Sequence, residues 1–159
     1  AELPHLLNEI AQSLAIKTLD IAIAPFLKDT WVALSERAVE LVLWEVLENS
    51  VKFHPAHAPQ IRIEVETEKD QRVCLRISDN GMILSPHQLS QMWQPYYQGE
   101  KYLTGEEEGM GLGLTMVATM LWEVAGICRS YNRTPAPGVV IELSVPQITV
   151  EEVKRQLSA

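Results

Sequence analysis

The chain has 159 residues, of which 47% are hydrophobic, and its formal net charge is −8. This length and composition indicate one globular domain that is large enough to bury a core. The acidic balance argues against a nucleic-acid-binding surface and against direct contact with an anionic membrane, and no signal peptide or membrane-spanning apolar run is recognisable.

The first half of the chain predicts two helices and three strands. Helical spacing of apolar residues covers 4–15, and alternating apolar residues over 18–23 predict a strand that ends before Pro25. A long helix is predicted over 35–53, with Ser35 as its N-cap. Two further strands, 60–67 and 72–78, flank the polar turn EKDQ and predict a hairpin.

The second half predicts a short helix, a polar loop, a long helix, two strands and a terminal helix. These elements cover 85–93, 98–108, 112–125, 127–133, 138–145 and 149–157, and Pro146 is expected to end the last strand. Ser85 with Gln88, and Thr149 with Glu152, have the spacing of capping boxes. The two cysteines lie in apolar alternating segments, which is typical of buried, reduced thiols. This order of elements predicts an α+β sandwich.

A polar stripe interrupts the otherwise apolar helix 35–53. It consists of Glu45, Glu48, Asn49 and Lys52, which share one side of a helix. One interpretation is a solvated face with a Glu48–Lys52 pair. The other is the wall of a binding site, in which the oxygens of Glu45 and Asn49 hold Mg²⁺ and Lys52 meets a phosphate.

The stretch LRISDNG ends a strand with Asp79, Asn80 and Gly81. A turn capped by an aspartate side chain explains this pattern without any ligand. A carboxylate at a strand end can also accept hydrogen bonds from an exocyclic amine such as that of adenine.

A glycine ladder, Gly109, Gly111 and Gly113, leads into the helix 112–125. No Lys follows it as in a Walker A loop, and Leu114 occupies the last glycine position of the dinucleotide fingerprint. The ladder is either a loop before a buried helix or a helix N-terminus that binds a polyphosphate. Glu106, Glu107 and Glu108 precede it, and we expect them to point away from any phosphate.

Four stretches resemble, in order, the N, G1, F and G2 boxes of the ATP-binding domain of sensor histidine kinases: LWEVLENSVKF, RISDNGMILSP, MWQPYYQ and GMGLGLTMV. That domain belongs to the GHKL superfamily, together with gyrase B and MutL. The resemblance implies the Bergerat fold, a two-layer α+β sandwich. Its mixed, mostly antiparallel sheet has about five strands packed on about three helices. ATP lies between the helices, under a lid between the F and G2 boxes.

The resemblance assigns roles to individual positions. Asn49 matches the N-box residue that ligates Mg²⁺, and Lys52 matches the N-box lysine near the phosphates. Asp79 matches the residue that binds the adenine amine, and Gly81 matches the glycine that lets the base approach. The G2 positions around the phosphates are Gly109, Gly111, Gly113 and the adjoining Leu114, and the lid corresponds to 98–108.

The sequence also departs from the histidine-kinase pattern. Many of these kinases have Asn at the position of Glu45. A Glu there resembles gyrase B, MutL and some histidine-kinase subfamilies, so Glu45 is expected to be a general base or a ligand in the Mg²⁺ shell. Ile83 replaces the second glycine of the G1 box. Gln98 stands where Arg or Lys is common, which leaves Lys52 or Lys101 near the phosphates.

No histidine fits the H-[ED] motif of the family's phosphoacceptor, since His5, His54, His57 and His87 are followed by Leu, Pro, Ala and Gln. The phosphoacceptor is therefore expected on a separate dimerisation domain, in the same protein or in trans. We expect residues 1–17 to form a helix connecting to that domain. Residues 18–147 would form the ATP-binding catalytic domain, and 148–159 a helical tail.

The sequence thus predicts a domain that binds Mg·ATP and transfers the γ-phosphoryl group to a histidine, with a response regulator as an indirect partner. We expect it in the cytoplasm, either free or as the cytoplasmic part of a membrane-bound sensor. One alternative is a non-catalytic domain for nucleotide sensing or protein docking. Others are an anti-sigma-factor serine kinase and, less favoured, an ATPase of the gyrase or MutL type.

Overall fold

The computed structural model describes residues 2–94 and 113–158. Within these ranges the chain forms five α-helices: α1 (Leu3–Ser13), α2 (Glu36–Phe53), α3 (Pro86–Gln91), α4 (Gly113–Glu123) and α5 (Val150–Leu157). It also forms six strands: β1 (Thr18–Ile23), β2 (Trp31–Val32), β3 (Gln60–Glu68), β4 (Arg72–Asp79), β5 (Ile127–Asn132) and β6 (Val139–Ile148). The predicted α+β sandwich is confirmed. Strand β2 was not predicted, because two residues are too few for a periodic pattern.

Local signals set the predicted helix starts. The Ser35 side chain accepts a hydrogen bond from the main-chain N–H three residues later, at the start of α2. Reciprocal capping boxes form between Ser85 and Gln88 at α3 and between Thr149 and Glu152 at α5. These bonds satisfy N–H groups that have no partner within the helix.

The sheet has the order β1-β3-β4-β6-β2, and β5 also pairs with β6. Strand β1 is parallel to β3, and the other pairings are antiparallel. Arg76 is opposite Glu142 in the β4–β6 register, and Ile77 is opposite Ile141. Because successive residues of a strand point to opposite faces, Arg76 and Glu142 share the outer face and the two isoleucines share the inner face.

The inner face of the sheet packs against helices α1, α2 and α4. Each helix contributes a fully buried leucine, namely Leu7, Leu47 and Leu121. Helix α1 is therefore part of the core. The division at residue 17 stays a prediction, and so does the function of α1 as a connection to another domain. No helix in 2–94 or 113–158 is both long and apolar enough to cross a membrane.

Several predicted boundaries are wrong by a few residues, and two of them have a clear physical cause. Strand β6 continues past Pro146 to Ile148, because the last residues of β6 pair with β2 and the Pro146 carbonyl accepts a hydrogen bond from the Ala33 N–H at 3.3 Å. Proline lacks a donor but keeps its acceptor. Helix α4 ends at Glu123 rather than at Ala125, which has a left-handed φ of 57°.

Candidate functional site

The predicted stripe on α2 is half-buried along its whole length. Glu45 and Asn49 are one turn apart, so they lie side by side on the helix. The Asn49 Nδ2 group donates to the Glu45 main-chain carbonyl at 2.7 Å. This bond uses the amide nitrogen of Asn49, so its amide oxygen is available to bind a cation or to accept a hydrogen bond.

The start of α4 lies directly against this stripe. A Cβ atom placed on Gly113 would overlap the Glu45 carboxylate and would lie 3.8 Å from Asn49 Nδ2. The absence of a side chain at Gly113 therefore permits this approach. The structure brings together three residues that the sequence predicted for one site. Leu114 packs in the core, so only its main chain is available to a ligand.

The electrostatics of Glu45 suit a bound cation. Partial burial raises the pKa of the Glu45 carboxyl, the charge of Glu48 raises it further, and Lys52 opposes the shift. The surroundings therefore compensate the negative charge of the Glu45 carboxylate only in part. Carboxylate and amide oxygens are the ligands that Mg²⁺ prefers, so Glu45 and Asn49 fit this ion.

Asp79 lies at the end of β4, beside α2. Its Oδ1 accepts from the Gly81 N–H at 2.8 Å and from the Val139 N–H at 3.4 Å. Its Oδ2 accepts from the hydroxyl of the buried Ser50 at 3.2 Å. Each carboxylate oxygen has about two acceptor sites, so Oδ2 retains capacity for one more donor. Asp79 can therefore cap the turn through Oδ1 and still bind a ligand through Oδ2.

Helix α2 links the two halves of the candidate site. Asn49 is on the side of α2 that α4 approaches, and the next residue, Ser50, bonds to Asp79 at a sequence separation of 29. Sequence reasoning missed Ser50, because a serine on an apolar helix has no distinctive pattern. It is also the residue that fixes Asp79 to the helix.

The β5–β6 hairpin supplies further contacts that the sequence did not reveal. Arg133 donates to the Asp79 main-chain carbonyl at 2.9 Å. Gly138 has a φ of +133°, and a Cβ there would overlap that same carbonyl. Glycine is thus required for both the backbone conformation and the close approach. In the sequence, Gly138 follows a proline-rich stretch, and this pattern indicates a turn. It does not indicate the contact with Asp79.

His54 and His57 have structural roles. The His54 Nδ1 atom accepts from the main-chain N–H groups of Ala56 and Ala58, and His57 Nδ1 contacts the Val51 carbonyl. These bonds shape the loop after α2.

Several predicted residues lie outside the described residues. They are Lys101, Gly109 and Gly111 of the proposed phosphate site, Gln98, the lid 98–108, and the three glutamates 106–108. Their assignments stay predictions.

A second cluster of residues whose side chains can bind metals lies on the outer face of the sheet. Ligand atoms of Glu68, Cys74 and Glu142 lie within 4.8 Å of one another. Burial, and then the charges of Glu68 and Glu142, raise the pKa of the Cys74 thiol to about 11. Glu142 already accepts from Arg76, Arg129 and Tyr131. A protonated thiol beside paired carboxylates is a poor metal site.

The sequence profile of the family described as "Histidine kinase-, DNA gyrase B-, and HSP90-like ATPase" matches residues 34–149. The chain belongs to this family. Its matched region contains the α2 stripe, Asp79 and the start of α4, and it confirms the resemblance seen in the four sequence boxes. Membership of this ATPase family supports ATP binding.

Known relatives in this family include sensor kinases. The chain is 27% identical over 119 residues to the autoinducer 2 sensor kinase/phosphatase LuxQ of Vibrio harveyi, and the match covers 73% of this chain but 14% of LuxQ. Its fold is similar to that of the mycobacterial sensor histidine kinase MprB, with a TM-score of 0.74 at 16% identity, covering 92% of this chain and 95% of that one. It is also similar to full-length ShkA in complex with AMPPNP, with a TM-score of 0.74 at 18% identity, covering 94% and 31% of the two chains.

Proposed function

We propose that this chain is the catalytic domain of a histidine kinase that binds Mg·ATP and delivers the γ-phosphoryl group to a histidine on a separate domain. The observation that carries the proposal is the position of α2 between two groups. It meets the start of α4 through Glu45 and Asn49, and it meets Asp79 through Ser50. Family membership and the nucleotide analogue bound to the similar ShkA fold support the choice of ATP.

In this proposal the two ends of the nucleotide have different partners. The Asp79 Oδ2 atom accepts a hydrogen bond from the adenine amine, and Gly81 allows the base to lie against the main chain. The glycines before α4 and the N-terminus of that helix bind the phosphates. Lys52 contributes positive charge, and so does Lys101 in the predicted lid.

Glu45 and Asn49 would hold Mg²⁺, which would neutralise charge on the phosphates during transfer. Asn49 presents its amide oxygen because its nitrogen is bonded to the helix. Glu45 acts either as a ligand in the metal shell or as a base that orients an attacking group. We expect catalysis to arise mainly from positioning and charge neutralisation.

The wider function rests on the relatives. We propose a histidine-bearing dimerisation domain, in the same protein or in trans, as the direct partner and a response regulator as the indirect one. We also propose that the domain works in the cytoplasm, without direct contact with nucleic acid or membrane.

Calorimetric titration with ATP tests the nucleotide site. In Asp79→Asn the remaining side-chain oxygen still accepts from the Gly81 and Val139 N–H groups, and an NH₂ group replaces Oδ2, the acceptor for the amine. ATP affinity should therefore fall at least about tenfold, the effect of losing one hydrogen bond to a charged group. Asp20→Asn is the matched control, because Asp20 pairs with Arg62 at 3.0 Å, away from α2, and it should leave affinity unchanged. Chelating Mg²⁺ should weaken binding further. Absence of ATP binding under every condition would refute the proposal and favour a docking module.

Transfer is tested with γ-labelled ATP and a histidine-bearing helical hairpin from a sensor kinase. Acid-labile label on the hairpin is the expected result. Acid-stable label on a serine-bearing partner would indicate the serine kinase instead. Binding without transfer would indicate a nucleotide sensor, and steady hydrolysis that Glu45→Ala abolishes would indicate an ATPase.

A further inference from the structure

The segment 80–85, between β4 and α3, has no regular secondary structure and contains no buried residue. Two of its apolar residues, Met82 and Ile83, are 39% and 65% exposed. Apolar packing therefore does little to fix this segment, although it begins directly after Asp79. Its position must depend on hydrogen bonds to its neighbours.

Two consecutive side chains of the β5–β6 hairpin hold the two ends of this segment. Arg133 donates to the Asp79 carbonyl at 2.9 Å. Asn132 bonds to both main-chain groups of Leu84, accepting from its N–H at 2.9 Å and donating to its carbonyl at 2.7 Å. The main-chain pairing of β4 with β6 stops near the end of β4. Beyond that point, these side-chain hydrogen bonds from the hairpin hold the backbone instead.

The same hairpin also reaches the Asp79 carboxylate. The Val139 N–H lies 3.4 Å from Oδ1, and the missing side chain of Gly138 allows this approach. A displacement of the Asp79 main chain would therefore alter the direction in which its remaining acceptor site points.

We propose that Asn132 and Arg133 are positioning residues for base recognition. They fix the backbone on both sides of Gly81, so that the Asp79 carboxylate meets an exocyclic amine on the base. This inference rests on the proposed function, in which Asp79 binds the adenine amine. Neither residue needs to contact the nucleotide, and each acts through Asp79 and the segment 80–85.

The test compares ATP with inosine triphosphate, which carries a carbonyl oxygen in place of the amine. Dissociation constants are measured by calorimetry for the unmodified chain, Asn132→Ala, Arg133→Ala and Arg133→Lys. Each alanine variant should lower ATP affinity about three- to tenfold, as expected for the loss of a positioning hydrogen bond, and should change inosine triphosphate affinity little. Arg133→Lys retains a donor for the Asp79 carbonyl and should recover part of the preference for ATP over inosine triphosphate.

Arg62→Ala is the control for loss of positive charge, since Arg62 pairs with Asp20 and Glu64 instead. It should leave both affinities unchanged. Equal losses for the two nucleotides in Arg133→Ala would show that Arg133 acts on the phosphates, and they would overturn the inference. An unchanged ratio in both alanine variants, with circular dichroism showing folded protein, would overturn it as well.

The two proposals fail in different ways. If the unmodified chain binds the two nucleotides equally, or if Asp79→Asn leaves the preference intact, the role of Asp79 is wrong. If Asp79→Asn removes the preference while Asn132→Ala and Arg133→Ala keep it, only the positioning role is wrong. Should one alanine variant unfold, the other variant and Arg133→Lys decide the question.

Discussion

Replacing Glu142 with Gln probes the ion-pair network on the outer face of the sheet. The Glu142 side chain is 11% exposed and accepts three hydrogen bonds. Its Oε1 accepts from Arg76 Nε at 3.0 Å and from the Tyr131 hydroxyl at 2.8 Å, and its Oε2 accepts from Arg129 Nε at 2.9 Å. These bonds join β4, β5 and β6.

The structure gives the size of the expected effect. Glutamine can keep the bonds to Arg76 and Tyr131 through its single oxygen, but its NH₂ group then faces the Arg129 donor. One charge-assisted bond is lost, which costs about 1.5–3 kcal/mol in a buried site. Arg76 and Arg129 are 34% and 44% exposed, and solvent screens their charges. We therefore expect the free energy of unfolding to fall by about 2 kcal/mol at pH 7.

This difference should depend on pH. Burial alone would raise the pKa of Glu142, but the hydrogen bonds from Tyr131, Arg76 and Arg129 outweigh it, and the pKa is lowered. The unfolded chain therefore binds this proton more readily than the folded chain does. The stabilisation is present above the unfolded pKa of about 4.3 and is lost as the pH falls through the lower folded value. The variant should approach the parent in acid.

Urea unfolding at several pH values measures both effects. Glu66→Gln is the matched control, because Glu66 is on the same face and pairs with Arg76 at 3.6 Å but is 58% exposed. It should cost less than about 0.5 kcal/mol. The reasoning is refuted if both variants lose equal stability, or if the deficit of Glu142→Gln is the same at pH 3 and pH 7. ATP affinity should not change in folded Glu142→Gln, because Glu142 and α2 lie on opposite faces of the sheet.

Two further predictions concern α1 and α4. Leu7→Ala should lower the free energy of unfolding by about 3 kcal/mol, because Leu7 is fully buried, and a loss below about 1 kcal/mol in urea unfolding would show that α1 is dispensable to the core. Gly113→Ala should force the Glu45 carboxylate to rotate. Its effect on unfolding should therefore couple to Glu45→Ala by at least about 0.5 kcal/mol, whereas additive effects would contradict the contact.

Much of the fold could be predicted because its signals are local. The N-cap at Ser35 and the capping box at Ser85 depend on residues three positions apart. The hairpin of β3 and β4 depends on alternation and a short polar turn. Strand β2 and the end of β6 could not be predicted, because each requires the other strand as a partner.

The sequence by itself determined the helix starts, most of the strands, the family and the candidate residues Glu45, Asn49 and Asp79. Only the tertiary structure decided how these residues are held. Ser50 reaches Asp79 across 29 positions, Arg133 reaches it across 54, and Val139 reaches it across 60. Such contacts carry no periodic signal, because they depend on how α2 and the β5–β6 hairpin pack around the end of β4.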